Sequence, residues 1–146
     1  MIIRTAQDQD IAQLLLLYTF LHDNMMPVID NKVEEIWTDI MQDVNHHIIV
    51  GVEDDMIIAS CVLIIVPNLT HKQRPYALIE NVITNPNYRN KGYATKLLDY
   101  AKDIANKHNC YKIMLMTGAK KETTLNFYKR AGYNTTDKTA FVQWLE

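Results

Sequence analysis

Glycine is scarce in this chain, with four residues in 146, and cysteine is scarcer, with only Cys61 and Cys110. The two cysteines form no C-x-x-C pair. One lies inside an apolar run and the other just before one, so neither a disulfide framework nor a thiolate metal site is read, and a reduced, cytoplasmic setting is expected. Long apolar runs are missing too. The longest, Met56 to Val66, is too short to span a bilayer, and the first residues lack the basic and long apolar regions of a signal peptide. No charge of one sign dominates: the formal net charge is −2. Mixed signs argue against broad attraction to nucleic acid or a membrane, so neither is expected as a partner. The nucleotide signatures G-x4-G-K-[ST] and G-x-G-x-x-G are absent as well. His46 and His47 are adjacent, face opposite ways on a strand and cannot form one metal site, so no metal is expected.

Nearly half of the residues, 48%, are apolar, enough for one sizeable core and too few residues for two. Residues 1–146 therefore read as a single domain. Ile2 and Ile3 suit a short first strand, and Thr5 with Asp8 resembles a helix N-terminal box. Ile11, Leu14, Leu15, Tyr18 and Leu21 then recur at helical spacing until His22-Asp23-Asn24 breaks the pattern. Val33, Ile36, Trp37, Ile40 and Met41 predict a second helix. His47 to Val52 and Met56 to Val66 are β-rich runs joined by Glu53-Asp54-Asp55, a hairpin signature. Tyr76 to Thr84 reads as a fourth strand, ended by Asn85-Pro86-Asn87. Ala94, Leu97, Leu98, Ala101, Ile104 and Ala105 define one face of a third helix. Tyr111 to Thr117 reads as a fifth strand, Glu122 to Ala131 as a fourth helix closed by Gly132, and Ala140 to Leu145 as a last strand. This order predicts an α/β fold on a mixed sheet, with Tyr76 to Thr117 forming a parallel crossover unit.

One of the few glycines, Gly92, falls in Tyr88-Arg89-Asn90-Lys91-Gly92-Tyr93-Ala94-Thr95, between the fourth strand and the third helix. A helix start offers unpaired N–H groups at the positive end of its dipole, and glycine lets a backbone come close to what it binds. That is a place for a phosphate, and a pyrophosphate fits it. Taken alone, the string also suits a solvated turn. Later comes Asn126-Phe127-Tyr128-Lys129-Arg130-Ala131-Gly132-Tyr133.

The pairing of Arg89-x-x-Gly92-x-Ala94 with Phe127-Tyr128-x-x-x-Gly132-Tyr133 resembles the GNAT superfamily of acetyl-CoA-dependent N-acetyltransferases, over about Leu78 to Tyr133. The resemblance implies a mostly antiparallel central sheet with four flanking helices, its fourth and fifth strands parallel and splayed. It implies acetyl-CoA as cosubstrate, with backbone N–H groups across Arg89, Asn90, Lys91, Gly92, Tyr93, Ala94 and Thr95 holding the pyrophosphate, and side-chain contacts from Arg89 and Lys91. The fourth strand, through Val82, Ile83 and Thr84, would bond the pantetheine amides, and the Val82 N–H would face the thioester carbonyl. Tyr128 would give its proton to the departing thiolate. Phe127 belongs to the same motif, Asn126 would bond the pantetheine or nucleotide, and Lys129 and Arg130 would attract the 3′-phosphate, although solvated charge also explains the latter two.

An alkyl ammonium has a pKa of about 10 and must lose a proton before it attacks. Glu80 is the candidate base, directly or through a water, because a carboxylate in an apolar strand is unusual and burial makes a carboxyl more basic. It could equally be structural, and Tyr128 could be a core tyrosine. Tyr18, His22, Asn24 and Trp37, on the helices that cover the acceptor end in the resembling fold, are acceptor-binding candidates, with packing the other reading of Tyr18 and Trp37. Arg74 could anchor an acidic group of the acceptor or stand free in its loop. The leading expectation is transfer to the primary amine of a small molecule by direct attack. Local similarity of Ile79 to Val82, Cys110 to Ile113 and Asn126 to Lys129 to glucosamine-phosphate N-acetyltransferases adds a sugar-phosphate acceptor. A peptide amine and a non-catalytic acyl-CoA-binding module are the alternatives. Family habit also implies a homodimer, through the last strand with Phe141 and Trp144.

Overall fold

The computed structural model describes residues 1–21 and 25–146; the expected helix break at His22-Asp23-Asn24 lies outside the described residues. The chain forms β1 (Ile2–Thr5), α1 (Ile11–Tyr18), α2 (Asn31–Gln42), β2 (His46–Glu53), β3 (Met56–Val66), β4 (Tyr76–Thr84), α3 (Tyr93–Lys107), β5 (Ile113–Leu115) and α4 (Glu122–Arg130). Short 3-10 turns occupy Asp8–Asp10 and Pro86–Tyr88. The five strands lie in sequence order, β1-β2-β3-β4-β5. All neighbours are antiparallel except β4 and β5, which run parallel. This is the mixed, mostly antiparallel sheet with four helices that the sequence predicts. Among the described residues no helix is long and apolar enough to cross a membrane.

Alternation along β2 and β3 sorts side chains to two faces, because successive residues of a strand point opposite ways. Ile49, Cys61, Leu63 and Ile65 pack with Leu97, Leu98, Ala101 and Ala105 of α3, and Phe127, Tyr128 and Ala131 from the α4 region join them. Ile48, Val50 and Val62 pack on the other face with Leu14 and Leu17 of α1, and Trp37, Ile40 and Met41 of α2 close that side. The β2–β3 hairpin turns through Asp54 and Asp55, both left-handed at φ 50° and 61°, which suits the twist of the flanking strands.

Two expectations fail. The helix N-terminal box is not at Thr5 and Asp8. Asp10 accepts instead from the Gln7 N–H at 2.7 Å and from the Arg4 guanidinium at 2.6 and 3.0 Å, so the helix is anchored two residues later, on β1. The last strand is also missing. Ala140 to Leu145 join no ladder, and every residue from Asn134 to Glu146 is exposed. Asn134 Oδ1 accepts from the N–H groups of Thr136 and Asp137, a side-chain turn that takes the place of backbone pairing. Alternating apolar residues specify a strand only where an edge receives them.

Asp10 is 4% exposed, and the Arg4 hydrogen bonds hold its carboxyl below the ordinary range despite opposing burial. The stability this supplies is therefore full above the unfolded aspartate pKa of about 3.9 and fades as pH falls through the lower folded value. Asp10→Asn should cost about 1–3 kcal/mol at neutral pH, and the difference from wild type in urea titrations should shrink below pH ~4.

Candidate active site

The site begins with one extra residue in β4. Ser60 pairs with Ile83 and Val62 with Glu80, so Cys61 alone on β3 faces both Asn81 and Val82. Asn81 takes up the excess as a left-handed residue at φ 52°, which asparagine tolerates better than any β-branched side chain. The bulge reverses the alternation. Before it, Ala77 and Ile79 face α3; beyond it, Val82 faces α3 and Ile83 faces α1. Pairing between β4 and β5 covers only Ala77 to Ile79 with Ile113 to Leu115. From there the two parallel strands are unpaired, and a cleft of about 1060 Å³ opens between them.

The cleft collects most of the residues singled out in the sequence. It is lined by Glu80, Val82, Ile83 and Thr84 of β4, by Arg89, Asn90, Gly92, Tyr93, Ala94 and Thr95 of the following loop and helix, and by Asn126, Phe127, Tyr128 and Arg130 of α4. Gly92 is left-handed at φ 77° and precedes α3 with no side-chain cap, so the first N–H groups of the helix face a ligand space rather than a protein acceptor. A Cβ at Gly92 would meet nothing within 4 Å. Its backbone angle favours glycine there, and no protein atom crowds the position. Lys91 does not line the cleft, and its ammonium lies 5.1 Å from the centre of the Tyr88 ring. Arg89 donates through Nε to the Thr84 carbonyl at 3.3 Å, which folds the loop against the strand it leaves.

Tyr128 is half-buried, its ring 4.9 Å from that of Phe127 and 6.3 Å from that of Tyr133. Burial raises its phenol above the ordinary tyrosine value, so the hydroxyl keeps its proton at neutral pH. Glu80 is exposed. It lines the cleft rather than the apolar interior that the strand pattern suggested, and the burial argument for it falls away.

The acceptor-binding candidates among the described residues have the following surroundings. Tyr18 packs in the second core, where burial raises its phenol to about 12 against the opposing influence of Ser60 and Asn81. Trp37 packs there too and donates from Nε1 to the Asp8 carbonyl at 3.2 Å. Arg74 bonds the carbonyls of Asn109 and Cys110 at 3.1 and 3.2 Å, holding the turn after α3. His22 and Asn24 lie outside the described residues. Among the described residues of that set, Glu80 alone lines the cleft. Several lining residues have no counterpart in the sequence reading: Leu21, Asn81, Tyr88, and Met116 to Ala119 with Lys121, Thr123 and Thr124 after β5. Asn81 carried a signal, an asparagine inside an apolar strand, a place where that residue is depleted. The β5–α4 connection carried Gly118 and the parallel crossover, whose strand ends commonly bound a ligand.

The model of the Acetyltransferase (GNAT) family matches residues 10–133. A putative acetyltransferase from Agrobacterium tumefaciens str. C58 superposes with a TM-score of 0.92 at 33% identity, covering 99% of each chain. Glucosamine-6-phosphate N-acetyltransferase from Arabidopsis thaliana gives a TM-score of 0.88 at 19% identity, covering 99% of this chain and 98% of that one, a likeness of fold alone. Glucosamine 6-phosphate N-acetyltransferase of Trypanosoma brucei brucei is 32% identical over 77 residues, 53% of this chain; the match spans 50% of that protein's length.

Replacing Asn81 by valine puts a β-branched residue at a left-handed angle, which costs about 1–2 kcal/mol. Asn81→Val should lower the urea midpoint accordingly, whereas Asn81→Gly should keep the bulge and stay within about 1 kcal/mol of wild type.

Proposed function

The chain belongs to the GNAT acetyltransferase family, and on that premise we propose that it moves an acetyl group from acetyl-CoA to the primary amine of a small molecule in the cytoplasm, by direct attack within a ternary complex. The observation that carries the proposal is one continuous cleft, joining the uncapped start of α3 to the Tyr128 phenol. Its two ends suit the two ends of the donor. The free N–H groups after Gly92 receive the pyrophosphate, with Arg130 available to the terminal phosphate. The stretch of β4 from Val82 to Thr84, unpaired on the side toward β5, receives the pantetheine amides as a neighbouring strand would.

The chemistry follows from that placement. The ammonium of the acceptor first loses a proton to Glu80 or to a water that Glu80 holds. Its nitrogen lone pair then attacks the thioester carbon, and the carbonyl oxygen takes up negative charge against the Val82 N–H. As the oxyanion collapses, the C–S bond breaks and the thiolate takes the Tyr128 proton. The nitrogen loses its second proton to solvent, leaving amide and free coenzyme. Because Tyr128 keeps its proton at neutral pH, it stands ready as the acid.

The acceptor proposed is a small amine. The Trypanosoma relative bears the name of an enzyme acting on glucosamine 6-phosphate, so that sugar phosphate belongs in the test beside alkyl amines, unphosphorylated amino sugars and peptides. Release of coenzyme thiol should accelerate with at least one amine. Acetyl-CoA binding without acceleration by any amine would instead favour a binding module. Tyr128→Phe should lower kcat about 10²–10⁴-fold while acetyl-CoA affinity changes less than threefold; equal turnover in the variant removes Tyr128 as the acid.

We also infer that the working molecule is a homodimer built on the tail after α4. Phe141 is 90% exposed and Trp144 81% exposed, and among the described residues β5 pairs only with β4, which leaves it an edge of the sheet. Each copy thus has both a strand-forming tail and an edge to receive one, and a two-fold pair satisfies both at once. Aromatic side chains bury roughly 150–250 Å² each, so two tails with the surfaces that receive them cover more than about 1,000 Å², enough for a specific interface. Light scattering should give twice the mass of one chain for the full sequence and a single-chain mass after deletion of residues 139–146. A dimer that survives the deletion assigns the contact to another surface.

A further inference from the structure

The first turn of α3 offers its N–H groups without any side-chain cap, so something other than capping must fix where they point. The loop before it is tied mainly to the strand it leaves. Arg89 Nε bonds the Thr84 carbonyl, and Asn85 Oδ1 accepts from the Asn87 N–H at 3.0 Å. One side-chain bond crosses to a different strand: the Tyr93 hydroxyl donates to Glu53 Oε2 at 2.6 Å, across 40 residues of sequence. Glu53 is a fixed post. It ends β2, pairs with Met56 across the hairpin, and is followed by the left-handed pair Asp54 and Asp55.

A carboxylate here suits the positive end of the helix dipole but opposes a bound anion. Glu53 and Asp54 stand close enough to the start of α3 to act on Tyr93, and negative charge beside an anion site opposes binding. The hydrogen bond from Tyr93 is a gain that offsets that repulsion. It also keeps the phenol protonated, and hence a donor, because the carboxylate raises its pKa.

We propose that Tyr93 and Glu53 form a tether that positions the donor-binding turn, with Tyr93 acting through the backbone N–H groups of its own helix start rather than by touching the reacting atoms. Neither residue joins the transfer chemistry. The tether rests on the acetyl-CoA reading above for its ligand, but its effect on the turn is present without one.

Two measurements test it. Calorimetric titration of acetyl-CoA, well below the unfolding midpoint, should show Tyr93→Phe and Glu53→Ala each weakening binding about three- to tenfold, the loss expected for one hydrogen bond. The double variant should be no weaker than the worse single one. Glu53→Gln keeps an accepting oxygen and removes the charge, so its affinity should equal or exceed that of wild type. With an amine that is turned over, the loss should fall on KM for acetyl-CoA and leave kcat unchanged. Amide hydrogen exchange on the ligand-free protein should be several-fold faster at residues 96–98, the first amides bonded within the turn (Lys96 N–H to the Gly92 carbonyl at 3.2 Å), in Tyr93→Phe and unchanged in Glu53→Gln. Additive losses, a Glu53→Gln variant as weak as Glu53→Ala, or unchanged exchange in Tyr93→Phe would each overturn the tether. Wild-type protein that fails to bind acetyl-CoA would overturn the donor reading instead, and the exchange measurement would still decide whether the tether orders the turn.

Discussion

A single inserted residue in β4 governs where the chemistry-bearing groups of this molecule stand. A regular strand would send Val82 to the α1 side with Val62, and Ile83 to the α3 side with Ile79. With Asn81 counted in, both are reversed. Val82 then faces the helices that carry Tyr128 and the Gly92 turn, while Ile83 fills the opposite core. Glu80, on the near side of the bulge, emerges into the same cleft. A regular strand would keep Glu80 and Val82 on one face; the bulge sends them to opposite faces, and both line the cleft.

The two layers of helix contribute differently. The α3 layer is closely packed, with Leu97, Leu98, Ala101 and Ala105 buried against the sheet, so the start of that helix is held by its body as well as by its loop. Helix α4 has no fully buried residue. It rests on Phe127, Tyr128 and Ala131, and those contacts also form one wall of the cleft. A phenol presented from such a helix lies between core and ligand space, which gives it both its partial burial and its access.

The elements with strong periodicity were legible in the sequence. Helix α3, the β2–β3 hairpin and β4 stand where alternation and spacing put them, because each buries a face whose pattern repeats. The family resemblance, resting on Arg89-x-x-Gly92-x-Ala94 and the Phe127-Tyr128 motif, located the loop and helix that line the cleft. Three features were not legible. The bulge at Asn81 left only an asparagine in an apolar strand as its trace, because what it changes is a count across two strands that are adjacent in space. Asp10 serves as the helix anchor because Arg4 of β1 reaches it, a tertiary fact invisible to local spacing. The segment 140–145 has every local mark of a strand, yet strand formation needs a neighbour, and a single chain read by itself does not reveal whether one is present. Trp37 and Arg74 show the converse: residues with the right chemistry for a ligand that bond backbone carbonyls in this structure.

The parallel joint between β4 and β5 is only three residues long, Ala77 to Ile79 against Ile113 to Leu115. Beyond it, the two strands hold their exposed peptide groups toward water, so the sheet is complete only as far as that joint. A ligand that enters the gap with amides of its own continues the sheet and acts as a removable part of the scaffold. Rigidity in this half of the molecule would then rise and fall with each cycle of occupancy, and departure of the spent ligand would loosen the strands that the next one must find open.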